Sequence, residues 1–426
     1  MTFETAAPAE RAYLVALERQ GSALEVEDSL DELASLVVAA GGSVVGRTSQ
    51  HRRAPDPNTW VGKGKAEELA LERTRSGADL VVCDDELSPK QQKNLEKLLD
   101  ARVIDRSAVI LDIFARHARS REGQLQVELA QMEYRLPRLA GVGRELSRQG
   151  GGINTRGPGE TKLESDRQVI RKRIHDLKER LAQVEAQRER SRRSRAKEGF
   201  FLAALVGYTN SGKSTVLNAL TGSDVLVADQ PFATLDPTTR RGEVGHGMPM
   251  LLTDTVGFVN KLPPALVAAF RATLEELSES DLLVHVADAS HPNLHERMRV
   301  VEDTLRSLDL GERPRLLVLN KADLLEGPEG TALREALGAE FPQAIFASAR
   351  TGDGLQGVRD RLAEEARSRW VAVRVVLPYE TGGAMLQRIR ERGALRREEY
   401  SEGGIDIEAD VPPGLADELR AAARPA

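Results

Sequence analysis

The chain has 426 residues, which at ~100–200 residues per domain predicts two to four domains. Hydrophobic residues at 40% and charged residues at 30% exclude a wholly disordered chain and argue against a membrane protein, while aromatics at 4% leave little material for rows of base-stacking platforms. The net charge of −6 hides a segregation: residues 135–198 hold 18 lysines and arginines against 9 acidic residues, so this block is +9 and the remainder −15.

The first third alternates strand and helix. Tyr13–Leu17 reads as a strand, Ser29–Ala40 as a helix opened by a Ser/Asp cap and closed by Gly41-Gly42, and Ser43–Gly46 as a strand again. Ala66–Ser76 is helical, Asp79–Cys83 a short apolar strand, Ser88–Asp100 a capped helix and Arg102–Ile104 a strand. Strands alternating with helices of this length imply a parallel sheet covered by helices. Cys83 is the only cysteine, which excludes an internal disulfide and fits a reducing compartment. Met1–Gln20 carries Glu4, Glu10 and Glu18 and no long apolar run. The expected location is therefore the cytoplasm, without integral membrane association.

The hydrophobic period then changes. Leu125, Leu129, Met132, Leu136 and Leu139 recur at helical spacing, and Ile170, Ile174, Leu177, Leu181 and Val184 repeat the pattern. Two such seams predict a long antiparallel helical hairpin, its second arm running from about Ser165 to Glu198. Beyond Val184 the stripe gives way to Arg188, Arg190, Arg192, Arg193 and Arg195. Two readings stay open for that end, a solvated stalk and a contact to a polyanion. Gly141–Lys162 lies between the arms, rich in glycine and carrying Arg144, Arg148, Arg156 and Lys162. Such a tip suits insertion into folded RNA, and a plain flexible connector is the alternative.

An apolar strand, Phe200–Val206, runs directly into Gly207-Tyr208-Thr209-Asn210-Ser211-Gly212-Lys213-Ser214, followed by a helix near Thr215. This is a phosphate-binding loop in its required strand-loop-helix setting. Its backbone N–H groups cradle phosphates, Lys213 reaches the β- and γ-phosphates, and Ser214 ligates Mg²⁺. Asp254-Thr255-Val256-Gly257 follows a second strand, with Asp254 expected to hold the Mg²⁺ shell through water and Gly257 to approach the γ-phosphate. Asn320-Lys321-Ala322-Asp323 follows a third strand. The Asp323 carboxylate can accept from guanine N1–H and the 2-amino group, a donor pair that adenine lacks, so the motif selects GTP. Ser348-Ala349-Arg350 fits the last base-contacting loop. The γ-phosphate sensor falls in Phe232-Ala233-Thr234-Leu235-Asp236, with Thr234 as the second Mg²⁺ ligand; its release on hydrolysis is the basis of a switch.

With those pieces in place, the chain resembles the HflX family of GTPases, related to the Obg group. The resemblance is densest in Gly150–Glu164 and Phe232–Asp236, and Val61-Gly62-Lys63-Gly64-Lys65 adds to it. It implies GTP hydrolysis coupled to binding of the large ribosomal subunit, with separation of stalled or idle ribosomes or a part in subunit biogenesis. It also supports Thr234 as the Mg²⁺-sensing threonine. A GTP-regulated protein meeting another RNA or an anionic membrane face is the alternative. DNA is not an expected partner, and the free protein is expected to be a monomer.

Phe258 stands where Ras-like proteins carry a water-orienting glutamine, a substitution the family shares; it suggests slow intrinsic turnover and an external stimulus worth ~10³–10⁵ in rate. Lys213, Thr234 and Gly257 are the expected catalytic groups. Asn210 sits where some glutamine-lacking GTPases hold a potassium ion, or it simply tolerates the loop's backbone geometry. His175, His285, His291 and His295 read as ordinary polar histidines, and Asp281 and Asp288 as structural. The tail reads as a small α+β unit: strand Val371–Leu377, a helix from Thr381, strands near Glu398 and Ile405–Ile407, and a last helix from Gly414. The expected fold is α/β throughout: an N-terminal α/β unit (1–118), a helical hairpin (119–198), a central P-loop GTPase unit with a mostly parallel sheet (199–368) and a C-terminal α+β unit (369–426).

Overall fold

The computed structural model describes residues 9–19, 25–139, 158–198, 200–223, 231–232, 234–235, 238–244, 248–262 and 277–423, with backbone alone at 158–163, 185 and 187–198. Ala233, Asp236 and residues 140–157, which include most of the glycine-rich tip with Arg144, Arg148 and Arg156, lie outside the described residues, as do the side chains of Lys162 and of the arginines from Arg188 to Arg195.

Four short parallel strands form the first sheet: β1 (Arg11–Glu18), β2 (Ser43–His51), β3 (Leu80–Cys83) and β4 (Arg102–Asp105), in the order β2-β1-β3-β4. The central strands are buried on both faces, as their unbroken apolar runs require. Around them pack α1 (Val26–Ala39), α2 (Lys63–Ser76), α3 (Pro89–Leu99) and α4 (Arg106–His117). Ser88 caps α3 through a reciprocal box with Gln91. The expected cap at Ser29 is not formed. Helix α1 starts at Val26 after Glu25, and Ser29 lies inside it, its hydroxyl donating to Asp84 at 2.7 Å.

The hairpin forms as its seams require. Helix α5 (Arg121–Arg138) meets the helix Pro158–Glu198 through Leu125, Leu129, Met132, Ile174, Leu177, Leu181 and Val184. Leu136, Leu139 and Ile170 fall outside that cluster. Arg173 makes two hydrogen bonds to Glu128, at 2.7 and 2.8 Å, and Lys178 pairs with Glu133 at 2.9 Å, so charges flank the apolar strip. The second arm begins at Pro158 rather than Ser165, so Pro158–Lys162 are helix and not loop. Proline is well placed in a first helical turn, where its missing N–H costs nothing. At 1.5 Å per residue the arm reaches about 60 Å.

The second sheet has six strands in the order β10-β9-β8-β5-β7-β6. These are β5 (Phe201–Val206), β6 (Thr238–Val244), β7 (Met248–Asp254), β8 (Leu282–Asp288), β9 (Arg315–Asn320) and β10 (Ile345–Phe346), and only β6 runs antiparallel to its neighbour. The carboxyl ends of β5, β7 and β9 converge on one edge, where open α/β sheets bind ligands. The tail forms an antiparallel sheet, β11 (Val371–Leu377), β12 (Ala394–Ser401) and β13 (Gly404–Val411), in the order β11-β13-β12. The helices Tyr379–Arg392 and Pro413–Ala422 bury Leu386, Ile389, Leu415 and Leu419 against it.

One apolar cluster crosses from the first unit to the GTPase unit. Val109, Ile110 and Phe114 of α4 belong to the same core as Phe232, Leu235, Val256, Phe258 and Val259. The Phe114 and Phe232 rings meet edge to face at 4.7 Å, a favoured aromatic geometry. His285, expected to be an ordinary polar histidine, lies in β8 and is buried, and burial pushes its imidazole down to about 4.

Candidate functional site

The phosphate loop connects β5 to the helix Lys213–Thr221, which starts two residues before the expected Thr215. Gly207 cannot be replaced without a clash, because a Cβ there would stand 2.2 Å from the Val286 carbonyl oxygen. Gly212 has φ +89, and a Cβ would meet the Asn320 amide at 2.3 Å. These two glycines set the curl of the loop. Asn210 has φ +58, a left-handed backbone that asparagine tolerates, and its side chain is exposed. Lys213 Nζ donates to the carbonyls of Gly207 and Tyr208, at 3.2 and 2.9 Å. Burial pushes its ammonium down to about 8, with Asp254 working in the opposite direction.

Three oxygen-bearing side chains gather at the head of this helix. Ser214 Oγ donates to Asp254 Oδ2 at 2.6 Å and lies 2.9 Å from Thr234 Oγ1. Asp254 is fully buried, and burial raises its carboxyl pKa against the opposing effect of Lys213. Its second oxygen, Oδ1, is buried without a hydrogen-bond partner. A set of hard oxygen donors with one carboxylate oxygen unpartnered fits Mg²⁺. Gly257 completes this end: a Cβ there would sit 3.0 Å from Lys213 Nζ and 2.9 Å from Thr209 Cα, so only a glycine lets the backbone come so close.

The end expected to meet the base is built by β9 and the loop after β10. Asn320 donates to the Ser211 carbonyl at 2.9 Å, while its side-chain oxygen accepts from the Ala349 N–H at 3.1 Å. Lys321 has φ +61 and pairs with Asp288 at 2.7 Å. Ala322 and Asp323 open a short 3₁₀ turn, and the Asp323 carboxylate faces the Arg350 guanidinium at 3.4 Å. Ser348 is buried and accepts from the Thr351 N–H, fixing the loop that carries Ala349 and Arg350.

Between the two ends lies a cavity of about 280 Å³, bordered by Asn210, Lys213, Ser214, Thr234, Gly257 and Asp323, with Thr209, Gly212, Phe232, Thr255, Asn320, Lys321, Ala349 and Arg350 also on its wall. Three of the expected residues differ from the sequence reading. Tyr208 contributes only backbone to the loop, its ring turning into the first unit, and Leu235 and Val256 are core. Their side chains are too apolar, or too well partnered elsewhere, to line a phosphate site. Thr215 and Leu324 line the cavity but carry no motif signal, and Asp288, read as structural, anchors the Lys321 side chain. Asp281 is structural as expected, accepting from the Leu202 N–H at 2.8 Å.

This loop, its companions and its sheet define a P-loop GTPase. A profile described as "GTP-binding GTPase N-terminal" matches residues 27–115, one described as "GTP-binding GTPase Middle Region" matches 117–195, and one described as "50S ribosome-binding GTPase" matches 202–321. The chain is 46% identical over 418 residues to the GTPase HflX of Caldanaerobacter subterraneus subsp. tengcongensis, covering 98% of this chain and 94% of that one. It is 43% identical over 389 residues to the GTPase HflX of Escherichia coli, covering 91% and 90%. The chain belongs to the HflX family and is a GTP-hydrolysing switch that binds GTP and GDP. Among solved structures, it is similar to a GTP-binding protein from Sulfolobus solfataricus in complex with GDP, at 24% identity and a TM-score of 0.42, covering 84% of this chain and 99% of that one. Among the described residues no helix is long and apolar enough to cross a membrane.

Proposed function

We propose that this GTPase acts on the large ribosomal subunit, where its GTP-bound form docks and splits or rescues stalled or idle ribosomes, or serves in subunit biogenesis. The observation that carries the switch is the Ser214–Thr234–Asp254 oxygen cluster, of which Ser214 and Thr234 line the nucleotide cavity. Ser214 and Thr234 would ligate Mg²⁺, with Asp254 behind them. When bound, the ion would neutralise charge on the β- and γ-phosphates. Thr234 then belongs to the triphosphate state alone, so loss of the γ-phosphate frees its segment. Lys213 and the Gly257 N–H hold the terminal phosphate, and Asp323 reads guanine.

The partner is inferred from chemistry and kinship together. The +9 block of residues 135–198 begins at the end of the first hairpin arm and runs through the whole of the second, so the attraction to a polyanion is concentrated in one part of the chain. We further propose the division into 1–118, 119–198, 199–368 and 369–426, because each sheet and the hairpin falls within one of these spans. A cytoplasmic location and a monomeric free state complete the reading. Asn210 is the residue for a potassium ion, and turnover in potassium should exceed turnover in sodium.

Co-sedimentation with ribosomal subunits in a non-hydrolysable GTP analogue tests the proposal. Binding should be confined to the large subunit, be weaker with GDP and fall steeply with salt. Hydrolysis should accelerate when subunits are added. Equal turnover with and without subunits, together with no nucleotide-dependent binding, would overturn it.

A further inference from the structure

The first unit reaches the nucleotide site through a buried charged cluster that no sequence motif announces. Order β2-β1-β3-β4 places the sheet's topological switch between β1 and β3, and the crevice beyond their carboxyl ends is where such sheets take a ligand. Asp84 and Asp85, directly after β3, stand at that crevice. What enters it is a side chain of the GTPase unit. Lys261 Nζ donates to Asp84 and pairs with Asp85 at 2.8 Å.

Charge explains why a lysine is needed. Arg106 of α4 is 1% exposed and is held by Glu32 of α1 and by Asp84, the latter at 2.7 Å, while Arg19 pairs with Asp85 at 2.7 Å. Burial opposes the Arg106 charge, but Glu32 and Asp84 more than offset it and raise its pKa. Within the first unit the cluster has three acids, Glu32, Asp84 and Asp85, against two guanidinium groups. The Lys261 ammonium supplies the missing positive charge, and an uncompensated buried charge is strongly unfavourable.

The same cluster grips the phosphate loop. The Tyr208 hydroxyl donates to Glu32 and accepts from the Asn260 N–H at 2.8 Å. Burial pushes this phenol's pKa up, so it remains a donor. Tyr208 thus joins the loop, the Asn260 backbone and the first unit at one atom. Alongside, Thr209 N–H donates to the Phe258 carbonyl at 2.7 Å, and Phe258 N–H donates to the Gly207 carbonyl at 3.0 Å. Gly257 directly precedes Phe258, and a Cβ on it would stand 3.0 Å from Lys213 Nζ. Lys261 has φ +55, a backbone region that a lysine seldom adopts without surrounding constraint.

We propose that Glu32, Arg106 and Asp84 are positioning residues for the GTPase site: acting through Tyr208 and Lys261, they hold the Gly257–Lys261 turn where it can meet a γ-phosphate, so the N-terminal unit sets the preference for triphosphate over diphosphate. This rests on the guanine-nucleotide reading of the cavity. It makes docking of the first unit and recognition of the γ-phosphate one linked equilibrium, since whatever strengthens one strengthens the other.

The test uses the full chain with Tyr208→Phe, which removes the hydroxyl's contacts to Glu32 and the Asn260 N–H, and Lys261→Met, which removes the ammonium's contacts to Asp84 and Asp85; both leave the Glu32–Arg106–Asp84 triad in place, and Lys261→Arg is the conservative variant. Affinities for GDP and for a non-hydrolysable GTP analogue are measured by calorimetry, and kcat and KM are measured separately. The analogue's affinity should fall about 5- to 20-fold in Tyr208→Phe and Lys261→Met, with GDP affinity changing less than about twofold, kcat reduced, and Lys261→Arg recovering most of the loss. Equal losses for both nucleotides would mean a merely structural role and overturn the proposal, as would unchanged affinity for both. A parent protein that binds neither nucleotide would instead overturn the reading of the cavity itself, so the two failures are distinct.

Discussion

Asn320 and Ser211 tie the two ends of the nucleotide site together: the asparagine amide donates to the Ser211 carbonyl at 2.9 Å, from a strand end more than a hundred residues away in sequence. Both groups are buried. The contact keeps the Asn320–Asp323 segment in register with the Gly207–Ser214 loop, so the parts proposed to read the base and to hold the phosphates share one frame.

Asp323 sits in that frame with its carboxylate toward the cavity and Arg350 beside it. Asp323→Asn replaces an acceptor pair with one acceptor and one donor. GTP affinity should drop by about 10²-fold or more, because the guanine N1–H and 2-amino group lose matched partners. Xanthosine triphosphate, with an oxygen in place of the 2-amino group, should gain affinity. Competition of the two nucleotides for the parent and the variant measures both effects, and a variant that keeps its guanine preference would remove Asp323 from the base site.

Leu177 is fully buried in the hairpin seam against α5. The seam is a satellite cluster, separate from the cores of the first two sheets. Leu177→Ala should therefore cost about 2–5 kcal/mol, felt mainly as local opening of the hairpin. Amide exchange should speed up along Arg121–Arg138 and stay slow in Leu80–Cys83. Uniform acceleration over both would show that the hairpin and the first sheet unfold as one unit.

What the sequence reveals differs between these regions for physical reasons. Gly207, Gly212, Lys213, Ser214 and Asn320 are legible because each obeys a constraint on backbone approach or donor geometry that only one or two residue types meet at that spacing. The hairpin is legible from its period, since Leu125, Leu129, Leu177 and Leu181 must share a stripe to be buried. Helix α1 misleads at its start because Ser29 looks like a cap, yet its hydroxyl serves Asp84, a partner 55 residues away. Glu32, Asp84, Arg106 and Lys261 are invisible for the same reason. They are ordinary charged residues whose meaning arises from long-range contacts, up to 177 residues apart for Lys261 and Asp84.

His285 offers the clearest dependence on pH. Its imidazole is buried in β8, Nδ1 stands 3.8 Å from Glu302, and burial pushes it down to about 4 from the usual 6.5. The unfolded chain therefore takes up a proton on this ring near pH 6.5, while the folded chain resists protonation until about pH 4. Stability contributed by the neutral ring is full above pH 6.5 and is lost as pH falls toward 4. Between pH 7 and pH 5 the loss should be about 2 kcal/mol from this group alone. His285→Asn cannot titrate, so its stability in urea should fall less than the parent's over that interval, even if it is lower at pH 7. Carboxylates elsewhere contribute equally to both proteins and cancel in the comparison. Parallel losses in the parent and the variant would show that the ring is already as easily protonated in the fold as in the unfolded chain.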